Sequence, residues 1–255
     1  MSSNHRPHWI ALDGAANARA VVPGVLLRSD NLQALSARDV RILVEQEGLE
    51  VVLDLRTEIE IELEGPGPLT GEHAVRIEHR SLYPESGENT DLDAGTVRPW
   101  GDADQEEAPE ESPVVHAYMS YLRRRPDSVV GSVRAIARAH GAVLVHCAAG
   151  KDRTGVVIAL ALDAGGVDRD TIIEDYLATA ERIDAILARL LSSSTYRAEL
   201  EGHDPQTHAP VPGTMERVLE LVDLRFGGPA AWLAANGLDD LDLERLRRRL
   251  APARC

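Results

Sequence analysis

Apolar residues along this chain fall into two kinds of run. Val51-Val52-Leu53 and Ala142-Val143-Leu144-Val145 are short and unbroken. Runs of that length without polar alternation predict strands buried on both faces, as in a parallel sheet. Val21 to Arg28 reads as a strand or hairpin arm and Ala74 to Leu82 as a further strand; a short strand is expected near Trp9. Elsewhere apolar positions return every three or four residues, the helical period. A helix capped by Ser36 is expected through Glu47, with Val40, Leu43 and Val44 on one face and Gly48 at its end. Glu58 to Glu64 starts another, stopped by Gly65-Pro66-Gly67-Pro68. Val114 to Arg125, Val129 to His140 and Thr154 to Ala164 follow, then one or two helices over Asp168 to Leu191. Thr214 to Arg225, Ala230 to Ala235 and Asp240 to Leu250 complete a helical C-terminal end. Strands alternating with helices predict an α/β fold, a mostly parallel central sheet flanked by helices. Residues 1–20 read as an N-terminal tail, 21–255 as a single domain, and Ser192 to Pro212 as polar and loose.

The chemistry concentrates in His146 to Gly155, HCAAGKDRTG. It follows the apolar run ending at Val145 and leads into Val156-Val157-Ile158-Ala159-Leu160, so it reads as strand, tight loop, helix. A loop that opens a helix aims several free N–H groups at one spot, and the helix dipole adds positive potential there. That field holds a phosphate and stabilises a thiolate at Cys147. Gly150 allows the tight turn. Arg153, six residues after the cysteine, offers a planar fork for two phosphate oxygens. Thr154 is placed to donate to the cysteine sulfur, and His146 to fix the loop by hydrogen bonds. Ala148, Ala149, Gly150, Lys151, Asp152 and Arg153 form the expected phosphate-binding loop. The alternative is a buried, inert cysteine, which the polar run Gly-Lys-Asp-Arg-Thr opposes. A Walker phosphate loop is excluded, because Val145 stands where its first glycine belongs and Asp152 where it needs Ser or Thr. Lys151 is the only lysine, against 26 arginines. A flexible charge on the rim there suits a second phosphate or an anionic substrate group.

HCAAGKDRTG resembles the signature of the cysteine-dependent protein tyrosine phosphatase superfamily, in particular a bacterial group that includes a mycobacterial tyrosine and lipid phosphatase and the Listeria LipA enzyme. Gly24 to Ser29, Asp54-Leu55-Arg56 followed by Glu60, Asp175-Tyr176-Leu177 and Phe226-Gly227-Gly228 are similar to stretches of that group. The resemblance spans about Val21 to Leu250. It implies a phosphatase domain with Cys147 as nucleophile, Arg153 as phosphate clamp and no cofactor. Lys151 lies where tensin-type lipid phosphatases carry a lysine that contacts inositol phosphates. Asp152 lies where myotubularin-type lipid phosphatases carry an aspartate proposed as general acid. Together they imply phosphoinositide activity beside phosphotyrosine activity; phosphoserine or phosphothreonine monoesters are a further substrate class open to such a phosphatase. Asp152 is the first choice for the general acid. Asp54 is the second: it ends an apolar run, so it sits at a strand's carboxyl end like Cys147, where open α/β sheets bind ligands. For Asp54 and Arg56 the alternative is an ion pair bracing the loop. Asp102, in Pro99-Trp100-Gly101-Asp102, is the third choice for the acid.

Composition narrows the rest. A net charge of −15 argues against nucleic-acid partners and against docking to anionic membranes, and requires a site that is locally positive. Pro84 to Pro113 holds ten acidic residues and one arginine. It reads as a solvated insertion or as an acidic lid over the cationic pocket. No apolar run reaches the length of a membrane span. The N-terminus lacks a recognisable signal peptide, so the protein is expected in the cytoplasm, or exported without one. The nine histidines show no metal-ligand grouping, and two cysteines imply no structural disulfide. Two other classes remain: a rhodanese-type sulfurtransferase, and a pseudophosphatase that binds phospho-ligands.

Overall fold

The computed structural model describes residues 7–84, 111–202 and 204–251. One six-stranded sheet runs in the order β1-β2-β3-β6-β4-β5. Its strands are β1 (His8–Trp9), β2 (Arg19–Val22), β3 (Leu26–Ser29), β4 (Leu49–Asp54), β5 (Arg76–His79) and β6 (Ala142–His146). β1, β2 and β3 pair antiparallel; β3, β6, β4 and β5 pair parallel. The unbroken apolar runs are explained by burial on both faces. Leu26, Val51, Leu53, Val143 and Val145 belong to one core, and Leu27, Val52, Ala142 and Leu144 to the other. The register brings Ser29, His146, Asp54 and His79 to one carboxyl edge.

The larger core is covered by α3 (Pro113–Arg124), α4 (Pro126–Arg138), α5 (Asp152–Ala164), α9 (Thr214–Phe226), α10 (Pro229–Ala235) and α11 (Asp240–Leu250). α5 carries ten buried residues, as its nearly continuous apolar sequence requires. The opposite face has thinner cover, including α1 (Ala37–Arg41) and a 3-10 turn at Pro68–Gly71. α1 starts at a capping box in which Ser36 and Asp39 satisfy each other's backbone N–H groups. α2 (Glu58–Glu64) starts at a second one, Thr57 with Glu60. The helix expected through Glu47 keeps its length but widens to a π-helical turn at Ile42–Gln46. Nothing in the structure explains that widening.

Two expectations change, and a third falls outside the described residues. From residue 7 the supposed tail is part of the fold: β1 pairs with β2, and Ile10, Asn17 and Ala18 are buried. After α6 (Arg169–Ala178) and α7 (Ile183–Ser192), the stretch expected to be loose forms α8 (Ser194–Leu200) and a 3-10 turn at Pro205–His208. Of the acidic segment 84–113, residues 85–110 lie outside the described residues, and with them the lid reading and Asp102.

A buried ion cluster ties the N-terminal hairpin to α6. Arg19 and Arg28, on β2 and β3, both pair with Asp175 of α6. Arg19 also donates to the Asp175 carbonyl (2.7 Å) and to Thr179 Oγ1 (3.1 Å). Burial, joined by the neighbouring Arg28, pushes Arg19 down to about 10 against the pull of Asp175. Burial pushes the Asp175 carboxyl up, but the two guanidiniums hold it below its ordinary range. Removing one charge from such a cluster strands the others without water. Asp175→Asn is therefore expected to cost about 3–5 kcal/mol of stability, read from urea unfolding.

Candidate active site

β6 delivers Cys147 at the carboxyl edge of the sheet, and α5 begins five residues later at Asp152. Between them, three successive carbonyls are held from outside. Ala148 O accepts from Asn31 N (2.9 Å), Ala149 O from Asn17 Nδ2 (2.9 Å), and Gly150 O from Arg28 Nη2 (2.6 Å) and Asn17 Nδ2 (3.2 Å). In a planar trans peptide the N–H points opposite to the C=O. The amides that follow these carbonyls therefore face the concave side, beside the N-terminus of α5, which builds the positive pole that an anion needs. Gly150 sits at φ +66°, and a Cβ there would lie 2.2 Å from the Ser29 carbonyl oxygen. Only glycine fits.

Arg153 lies on the first turn of α5, and a bidentate pair with Glu60 fixes its guanidinium at 2.6 and 2.9 Å. Glu60 is the N3 residue of the α2 capping box, so that helix start also aims the arginine. Burial opposes both charges, but their pairing holds the Glu60 carboxyl below its ordinary range and raises Arg153 well above its own. The Tyr83 ring lies 5.3 Å beneath the guanidinium.

Asp54 and Arg56 form the ion pair, at 2.6 Å. Asp54 Oδ2 also lies 3.5 Å from His146 Nε2. Burial pushes the Asp54 carboxyl up, but His146 and Arg56 hold it well below the carboxylate range, which suits a brace better than a proton donor. His146 Nδ1 lies 3.3 Å from the Cys147 carbonyl oxygen. Burial pushes His146 down to about 4, with Asp54 opposing, so the ring is neutral at pH 7. Thr154 is fully buried, and its Oγ1 has no hydrogen-bond partner. The bond expected from it to the sulfur is not formed.

Lys151 departs most from expectation. It is only 6% exposed, not a free charge on the rim. Its Nζ donates to the His208 carbonyl (2.7 Å) and lies 3.4 Å from Asp152 Oδ1. The carbonyl belongs to a cover made by α7, α8 and the 3-10 turn. Ala148 packs under Ile183, Ile186, Leu187, Leu190 and Tyr196, with Ala149 against the same cluster. Cys147 is 2% exposed and packs into the larger core.

The sequence also left unassigned the loop supports Asn17, Arg19, Arg28 and Asp175. All five tyrosines of the chain gather here as well. Tyr83 faces Arg153, Tyr118 donates to Asp152 (2.6 Å), Tyr121 and Tyr176 contact Tyr118, and Tyr196 donates to Glu60 (3.1 Å). In a chain with 4% aromatic residues, that scarcity was the one available signal. Among the described residues there is no cluster of metal ligands, and no helix is long and apolar enough to cross a membrane.

A cysteine at a strand end, an amide-lined loop and a buried arginine define a cysteine-dependent phosphatase site. The profile of the tyrosine phosphatase family matches residues 12–252. The chain is 32% identical over 212 residues to the triple specificity protein phosphatase PtpB of Mycobacterium tuberculosis, covering 76% of this chain and 74% of that one. It is 27% identical over 257 aligned positions to a tyrosine-protein phosphatase of Nostoc commune, covering 97% and 81%. A crystal structure of a cysteine-to-serine form of P. aeruginosa TpbA with phosphotyrosine aligns at a TM-score of 0.36 and 16% identity, covering 86% and 98%. The chain belongs to the tyrosine phosphatase family and is a cysteine-dependent protein-tyrosine phosphatase. The sulfurtransferase alternative is set aside by that membership.

His146 gives a pH signature. Its unfolded pKa is about 6.5 and its folded value about 4. Unfolding then takes up a proton between those values, so stability falls as pH drops from 6.5 to 4. Urea midpoints across this window are expected to slope less in His146→Gln than in the wild type.

Proposed function

We propose that Cys147 attacks phosphorus and that the loop amides of 148–153 hold the phosphate oxygens. Arg153, aimed by Glu60, clamps two of them and stabilises the charge of the transition state. Asp152, at the first position of α5, gives a proton to the leaving oxygen; water then hydrolyses the phosphocysteine. His146, Asp54, Arg56 and Thr154 support the loop. The observation that carries this reading is the set of three outward-held carbonyls beside Cys147, because it turns the amides that follow them toward one side, next to the N-terminus of α5.

The substrate range proposed is phosphotyrosine together with phosphoinositides and phosphoserine or phosphothreonine. The triple specificity in the name of the M. tuberculosis relative supports it, as does the lone lysine beside the loop. A substrate that uses Lys151 must displace the turn whose His208 carbonyl now holds the ammonium. Lys151 then exchanges the His208 carbonyl for an anionic group of the substrate.

Phosphate release from phosphotyrosine peptide, phosphoserine peptide and mono- and polyphosphoinositides tests this directly. Cys147→Ser is expected to abolish release from every member; residual release would remove the nucleophile assignment, and no release by the wild type would favour a phospho-ligand binder. Lys151→Met is expected to lower turnover of polyphosphoinositides several-fold more than that of phosphotyrosine. Equal losses on both would remove the lipid reading.

A further inference from the structure

Tyr118 lies at the centre of a short relay that ends on Asp152. It stands on α3, fully buried, and its hydroxyl donates to Asp152 Oδ1 at 2.6 Å. The same hydroxyl lies 3.0 Å from that of Tyr176 on α6. A phenol has one proton. Since Tyr118 spends its proton on Asp152, Tyr176 must donate to Tyr118. Every donor in the series therefore points toward the carboxyl group, from Tyr176 to Tyr118 to Asp152. Burial raises both phenols above their ordinary values, so they stay protonated throughout. The rings are held as firmly as the hydroxyls. Tyr118 stacks on Tyr121 at 6.1 Å between centroids and meets Tyr176 edge-on at 6.4 Å. Tyr176 itself lies against Gly155 on α5, where a Cβ would come within 3.2 Å of the ring. Lys151 Nζ lies 3.4 Å from the same Oδ1, so the hydroxyl and the ammonium gather on one oxygen of Asp152 and leave Oδ2 to itself.

We infer that Tyr118 is the positioning residue for proton transfer by Asp152, with Tyr176 fixing the direction of its hydroxyl. This rests on Asp152 being the general acid. A carboxyl group has two oxygens and one proton to give. With Oδ1 occupied as an acceptor from Tyr118, the transferable proton resides on Oδ2. In the first step the S–P bond forms and the bond from phosphorus to the ester oxygen breaks. The Oδ2 proton passes to that oxygen and leaves a carboxylate, which Tyr118 stabilises through Oδ1. In the second step water attacks phosphorus and the S–P bond breaks, returning the thiolate; a water proton returns to Oδ2. The Tyr118 proton is never transferred.

The test is the dependence of kcat/KM on leaving group, because a proton donor matters most when the leaving oxygen is basic. A series of aryl phosphates runs from p-nitrophenyl phosphate to phenyl phosphate, with phosphotyrosine at the basic end. Tyr118→Phe keeps the ring and its stacking. It is expected to leave kcat/KM for p-nitrophenyl phosphate within about twofold and to lower it for phenyl phosphate and phosphotyrosine about tenfold, the worth of one hydrogen bond to a charged group. Tyr176→Phe is expected to fall between Tyr118→Phe and wild type. Asp152→Asn, run in parallel, is expected to show the same trend more steeply, reaching about 10²–10⁴-fold at the basic end. An equal loss across the series in Tyr118→Phe, or none, overturns the positioning role while a steep Asp152→Asn series leaves the acid in place. A flat Asp152→Asn series instead removes Asp152 as the acid, and the role of Tyr118 with it.

Discussion

A phosphate-binding loop works only if its carbonyl oxygens point away from the anion, because each one turned inward would replace an attraction with a repulsion. Here that constraint is met by residues far away in sequence. Asn31 N, Asn17 Nδ2 and Arg28 Nη2 each claim a carbonyl of Ala148, Ala149 or Gly150. Arg28 must in turn be placed, and it is placed by Asp175, which it shares with Arg19. The chain of dependence runs from a loop of four residues through the first two long strands to α6. Glycine at position 150 is the covalent counterpart of the same requirement, since Ser29 O occupies the space a side chain would need.

Much of the fold is legible in the sequence for simple reasons. Strands buried on both sides need unbroken apolar runs, as at Val51–Leu53 and Ala142–Val145, and helix starts need the caps found at Ser36 and Thr57. The loop is legible because few chemistries place a cysteine, a glycine and an arginine at those spacings between a strand and a helix. The remainder depends on tertiary partners, which no local pattern specifies. Residues 7–20 have little periodicity, yet Asn17 is fully buried because it reaches the loop. Residues 192–212 are polar by composition, yet Tyr196, Leu200 and Ala209 join the cluster that packs on Ala148. Glu60 is legible as a capping residue but not as the partner of Arg153, since the same carboxylate does both jobs.

The charge balance also makes sense at this scale. A protein of net charge −15 needs a strong local field to draw in an anion. Here the cations are few and buried, and their charges are largely paired: Arg153 with Glu60 and Arg56 with Asp54, while Arg28 and Arg19 share Asp175. The field left over for a ligand is then that of the one guanidinium charge in excess of Asp175, of the backbone dipoles and of the N-terminus of α5.

The single lysine carries a thermodynamic consequence. Its ammonium is spoken for by the His208 carbonyl when the cover is down. An anion that takes Lys151 must first displace that carbonyl, so its affinity is reduced by the free energy of closure, and its binding weakens closure by the same amount. Selectivity and access are in this way two readings of one equilibrium: a tighter cover lowers the affinity of a ligand that takes Lys151, and a ligand with a stronger second charge recovers that loss by holding the cover open.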